Sequence, residues 1–284
     1  MLKLSAANVL LQWATGGLLF CWVTTRHRQV GLGYGWLLRA TYGLLALGAA
    51  YTGRRFGPDP IRDLSALLVA LATGVALAQS VLRRRVGVAH QKELVEQRSA
   101  RVAAMTGIDR SAAAKADAGP EFDPRLDLVA PVVGMIGVLA AGRFGDPAWL
   151  ATGRLVAGTL LLGAVTDAML LGHWYLVQPG LDRRHLRELV DWTGWSWLAT
   201  VVLLLVPTGM LSVLSGDIAD GWGGLLGWFW AACVVATVVL VVATKAALKE
   251  RQYAAVMAAT GLLYLAILTG FGTDLVARAL LVPG

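Results

Sequence analysis

The feature that most constrains this chain is a succession of long apolar runs separated by short charged or turn-rich pieces. A bilayer core about 30 Å thick takes roughly 20 mostly apolar helical residues to cross. Eight runs approach or exceed that length, at residues 5–24, 32–52, 61–82, 126–141, 149–177, 190–214, 222–244 and 253–271. Strands of a membrane barrel would instead alternate polar and apolar positions over about ten residues, and these runs do not. The expected fold is therefore all-α, a polytopic membrane helix bundle of about eight transmembrane helices. Composition agrees: with 57% hydrophobic and 15% charged residues, the chain could not dress itself as an ordinary soluble domain. Cys21 and Cys233 lie in apolar runs with no Cys-x-x-Cys pattern, so they read as small packing residues.

The runs divide the chain into membrane helices 1–3 over residues 1–82, a cytoplasmic helix and linker over 83–125, and membrane helices 4–8 over 126–284. The middle piece has apolar positions at Val88, Leu94, Val95, Val102 and Met105 before Gly107, which predicts a helix, and then turn residues, which predict a linker. The fourth run is short and carries Pro131, so it should be tilted or shielded by neighbours. Pro207, Thr208 and Gly209 predict a kink in the sixth. Arg55-Phe56-Gly57-Pro58-Asp59-Pro60 and Arg143-Phe144-Gly145-Asp146-Pro147 suggest a weak hairpin repeat, although Gly, Asp and Pro suit any short turn.

Orientation follows from the basic residues. Seventeen of the 25 Lys and Arg residues fall in the loops after helices one, three, five and seven, and six fall on the other side. That asymmetry places those loops in the cytoplasm and both termini outside, with the first run retained as a helix. The net charge of +7 thereby finds its use at helix ends and anionic headgroups, and nucleic acid is not an expected partner.

Ionisable groups within the runs are few, and each is a functional candidate because burial in a membrane is costly. Asp167 lies about 18 Å from the cytoplasmic end of its helix at 1.5 Å per residue, and Arg39 about 12 Å from the same end of helix two. Both sit among small residues, Gly163 and Ala164 for Asp167, Gly35 and Gly43 for Arg39. They are expected to form a buried charge pair or proton relay.

His173, Trp174 and Tyr175 follow Asp167 near the cytoplasmic end of the same helix. Such a group can bind a quinone or lipid headgroup by hydrogen bonding and stacking, and it is also what an aromatic interface belt uses. Trp192, Trp195 and Trp197, like Trp222, Trp228 and Trp230, fit the same two readings. His173 is the sole histidine inside a predicted helix, so haem ligation lacks a second histidine, and no metal-ligand motif is present. A Walker loop, a dinucleotide fingerprint after a soluble strand and a nucleophile elbow are all missing, so intrinsic catalysis is not expected.

The expected function is an integral membrane subunit, accessory or quinone-facing, of a larger respiratory or electron-transfer complex, with the bilayer and other subunits as partners and a quinone as the one cofactor considered. A secondary transporter or channel built on Asp167 and Arg39 is the alternative, and a lipid-handling protein a third. The scarcity of polar residues in the runs counts against the transporter.

Overall fold

The computed structural model describes residues 4–84, 122–178 and 181–281, and the regular elements among these are all helical. Nine α-helices follow in chain order: α1 (Ala6–Thr25), α2 (Leu32–Phe56), α3 (Pro60–Leu82), α4 (Val129–Gly142), α5 (Ala148–Val177), α6 (Arg184–Leu205), α7 (Gly209–Leu214), α8 (Leu225–Ala247) and α9 (Tyr253–Leu280). A 3-10 turn, Pro124–Leu128, leads into α4. The cytoplasmic helix and linker expected over 83–125 fall almost wholly on residues 85–121, outside those described.

Among the described residues six stretches are long and apolar enough to cross a membrane: α1, α3, the turn together with α4, α5, α8 and α9. The other two long helices, α2 and α6, have 25 and 22 residues and differ in polarity. Arg39, Arg54 and Arg55 lower the hydropathy of α2, and Arg187, Glu188 and Asp191 that of α6. Pro131 is accommodated in the first turn of α4, where its missing N–H leaves no intrahelical bond unmade.

The sixth run, expected as one kinked span, is broken. α6 stops at Leu205 and the chain resumes as α7 at Gly209, whose φ of +37° suits glycine. Two carbonyls here lack a helical donor, that of Leu203 because Pro207 has no N–H and that of Val206 because the helix has ended. Arg154 on α5 takes both, donating from Nε to Leu203 O at 2.9 Å and from Nη2 to Val206 O at 2.7 Å. At the start of α8 the Asp220 carboxylate accepts from the amides of Trp222, Gly224 and Leu226, each at 2.9 Å. Those bonds hold its carboxyl below the usual range.

Helices α1 and α5 form the interior. Of the most apolar part of each, 67% and 78% is buried, against 28% for α8 and 33% for α3 and α9. α1 packs on α2, α4 and α5, while α5 also meets α6 and α9. The outer helices turn Leu64, Leu68 and Leu71 of α3, Val235, Val239 and Val242 of α8, and Leu265 and Leu268 of α9 outward. An apolar exterior over a partly polar interior is the inverse of a soluble bundle, as a lipid solvent demands. Where α1 crosses α5 the backbones nearly touch: a Cβ on Gly16 would lie 1.9 Å from Thr159 O, and one on Gly163 would lie 2.2 Å from the Gly16 carbonyl carbon. Small residues permit that approach.

Candidate functional site

The polar groups of the interior are gathered along α1. Asn8, Gln12, Thr15 and Thr24 are all buried, and around them four other helices deliver charged or hydroxyl side chains. Three clusters result.

At the end of the bundle where α1 starts, Arg62 of α3 donates to Asn8 Oδ1 at 3.1 Å and to Asp63 Oδ1 at 2.9 and 2.7 Å. Asp59 caps α3 through the amides of Ile61 and Arg62 and also receives Arg143 at 3.3 Å. This links the turn before α3 to the turn after α4, the two places where the similar Arg-Phe-Gly sequences stand.

One turn further along α1, Gln12 donates to Leu155 O at 2.5 Å and accepts from Arg278. Arg278 in turn pairs with Asp274 at 2.5 Å, one helical turn away on α9. Gly158 on α5 makes the room, since a Cβ there would lie 2.5 Å from both partners.

The third cluster holds the sequence candidates. Asp167 of α5 is fully buried, and its Oδ1 accepts the hydroxyl of Tyr42. Tyr34 donates to the Asp167 carbonyl at 3.4 Å. Both tyrosines belong to one α2 stripe with Leu38 and Ala46, repeating every four residues, so one helix face carries them all inward. Tyr42 reaches the acid because Gly17 on α1 has no side chain: a Cβ there would fall 2.0 Å from the ring. Asp167 Oδ2 has no hydrogen-bond partner among the described residues.

Arg39 is equally buried, but the carboxylate it engages is Asp127, not Asp167. Its Nε and Nη2 donate to the two Asp127 oxygens at 2.7 and 2.6 Å, a bidentate pair in which each side chain is 2–3% exposed. Phe122 lies under the guanidinium at 4.5 Å, and Thr25 donates to Asp127 at 3.4 Å. The two expected members of a charge pair thus stand in neighbouring sub-sites with different partners. Asp127 gives no sequence signal of burial because it sits at the margin of an apolar run, and Asp274 and Arg278 give one only in their spacing of four residues, since apolarity fades at 271.

His173, Trp174 and Tyr175 are spread around α5. His173 is exposed. Trp174 is half-buried, its ring 5.9 Å from that of Tyr34 and its indole N–H donating to Gln178 at 3.1 Å. Tyr175 is buried and donates to Asp182 O at 2.6 Å. Successive helical positions diverge by about 100°, so the three stand on different faces of α5. Trp192 and Trp195 of α6 and Trp222 and Trp228 are exposed, while Trp230 is buried and donates to Thr273 O at 3.0 Å. Among the described residues no three of His, Cys, Asp and Glu gather as a metal site would require.

No protein-family model, curated protein or solved structure matches this chain.

Proposed function

We propose that this chain is a multi-pass membrane protein of eight spanning helices, α7 completing the span begun by α6, with both termini on the outer face of a cell membrane, and that it moves protons through the bundle by way of Asp167, as a proton-coupled secondary transporter does. The observation that carries this reading is the state of Asp167: fully buried, held on one oxygen by Tyr42, with the other oxygen unpartnered among the described residues. Among the described residues an ionised carboxylate there has no cation paired with it, because Arg39 is committed to Asp127. The compensating proton has to arrive from outside the site, and the Tyr42 hydroxyl, bonded to the carboxylate, is the group placed to pass it on. Polar groups recur along α1 on either side, with Thr24 and Asp127 towards one end and Gln12, Asp274 and Asn8 towards the other. Gathered around the central helix, on it and on the elements packed against it, they answer the objection that the runs as a whole contain few of them.

Proteoliposomes bearing the protein and a pH-sensitive dye test the proposal. Under an imposed membrane potential the wild type should conduct protons, Asp167→Glu should retain part of the flux, and Asp167→Asn should abolish it. Undiminished flux in Asp167→Asn sinks the reading.

A second reading keeps the chain as an accessory, quinone-facing subunit of an electron-transfer complex. Its support is the contact of Trp174 with Tyr34, by which a headgroup beside His173 would stand one aromatic ring away from the ring that touches Asp167. Gentle purification followed by extraction of bound quinone and identification of copurifying subunits tests it; a preparation devoid of both removes it.

A further inference from the structure

At the end of the bundle where α1 finishes and α6 begins, a cleft of about 720 Å³ opens between Arg26 and His27 on one side and Arg184, Arg187, Glu188 and Trp192 on the other. A second cleft of about 370 Å³ adjoins it, sharing Arg187 and Asp191 and adding Lys245 and Lys249. We propose that these clefts form a binding site for the phosphate-bearing headgroup of an anionic phospholipid.

Charge is the first argument. The two carboxylates are already answered, Glu188 by Arg26 and Asp191 by Lys245 at 2.7 Å. Arg187 gives one nitrogen to Leu248 O at 2.6 Å and, like Arg184 and Lys249, pairs with no carboxylate among the described residues. Three cations therefore converge on adjoining concavities with no anion of the described chain to match them. Guanidinium groups suit phosphate oxygens in particular, since their paired N–H donors fit two acceptors at once.

Shape decides which phosphate. A free phosphoester would fill the basic pocket and stop there, but this pocket continues along α6. Trp192 and Trp195 lie about one to three turns inward of Arg184 and Arg187, and Trp192 is fixed by an edge contact of 5.8 Å with Phe20. Trp195, Leu198 and Val202 are spaced by three and four residues, hence share one helix face, and all three are exposed. Cations, then tryptophan, then an apolar strip is the order of polarity along a phospholipid from headgroup through interface to acyl chain.

Native mass spectrometry on the protein in mixed micelles of phosphatidylglycerol and phosphatidylcholine tests the site, with sn-glycerol 1-phosphate as the soluble probe. The wild type should retain phosphatidylglycerol preferentially. Arg184→Gln and Lys249→Gln should each weaken that retention about fivefold, which is about 1 kcal/mol, and Arg184→Lys should restore most of it. Trp195→Ala should weaken retention of the lipid and leave glycerol phosphate unaffected. Should a charge variant fail to fold, raising the salt concentration on the wild type must release phosphatidylglycerol and spare phosphatidylcholine. Equal retention of the two lipids, or retention that neither the glutamine variants nor salt reduces, overturns the proposal. So does glycerol phosphate binding as tightly as the lipid, which would assign the pocket to a soluble phosphoester.

Discussion

Arg39 and Asp127 meet through two charge-assisted hydrogen bonds while all but excluded from solvent, so removing either strands the other as a buried charge. Breaking such a pair costs about 3–5 kcal/mol, whereas removing both partners costs less. Arg39→Gln and Asp127→Asn should each lower the unfolding midpoint in detergent, and the double variant should recover much of the loss. In the corresponding cycle with Asp167→Asn, Arg39 should show the weaker coupling; a stronger one would mean that the two sub-sites act as one. A second residue of consequence, His185, opens α6 ahead of its apolar part. Burial, Arg184 and His27 lower its pKa, against the weaker raising influence of Asp182 and Glu188. It makes one hydrogen bond, from Nε2 to Gln29 at 2.6 Å, while Nδ1 has no partner among the described residues. A depressed histidine pKa means that the unfolded chain takes up the proton first. Stability is then complete above the ordinary value of 6.5 and falls as the pH drops below it, until the folded imidazole is protonated as well. Thermal unfolding between pH 7 and 5 should show this slope, and His185→Gln should flatten it; an equal slope in the variant would place its origin elsewhere.

Among the elements, the α1–α5 crossing sets the geometry of the site, because it brings Gly17 and Asp167 to the ring and hydroxyl of Tyr42. Gly163→Val would force the helices apart at a contact made by backbone atoms. We expect a loss of more than 2 kcal/mol, in keeping with overpacking at an interface that cannot yield, and with it the loss of any function that requires Tyr42 at Asp167. Gly48→Val, where a Cβ meets nothing nearer than Leu10 at 3.4 Å, serves as the mild control. The break between α6 and α7 is supported from a different helix. Arg154→Ala leaves the carbonyls of Leu203 and Val206 without the donor described, at a cost of about 1–3 kcal/mol for stranded polar groups. Proteolysis or hydrogen exchange at residues 203–209 should rise in that variant, and an unchanged rate would show that solvent or lipid headgroups already serve those carbonyls. Sequence alone foretold an irregularity here, from Pro207 and Gly209, because proline removes a donor locally. It could not foretell that an arginine some fifty residues earlier would accommodate the break.

For the molecule as a whole, the asymmetry of basic residues makes a topological prediction. Single cysteines at Ala219, after α7, and Glu250, between α8 and α9, both exposed, should react with impermeant thiol reagents from opposite sides of the membrane. The native Cys21 and Cys233 are buried and contribute little background. Labelling of both from one side would revise the number of spans between them. The helical class and the apolar exterior were legible in the residues, because lengths of apolar run and placement of Lys and Arg are one-dimensional quantities that a bilayer reads directly. The identity of the buried partners was not. Asp127, Asp274 and Arg278 stand at the margins of their runs, where charge is ordinary, and whether such a residue faces water or enters the bundle depends on the azimuth of its helix and the closeness of its neighbours. Gly16 meeting Gly163, and Gly17 admitting Tyr42, bring α1, α2 and α5 together closely enough to give Asp167 its partner and to leave Arg39 to Asp127. Pairings between helices belong to the tertiary structure because a helix brings only its own residues into register; which side chains share the interior is decided when the helices pack.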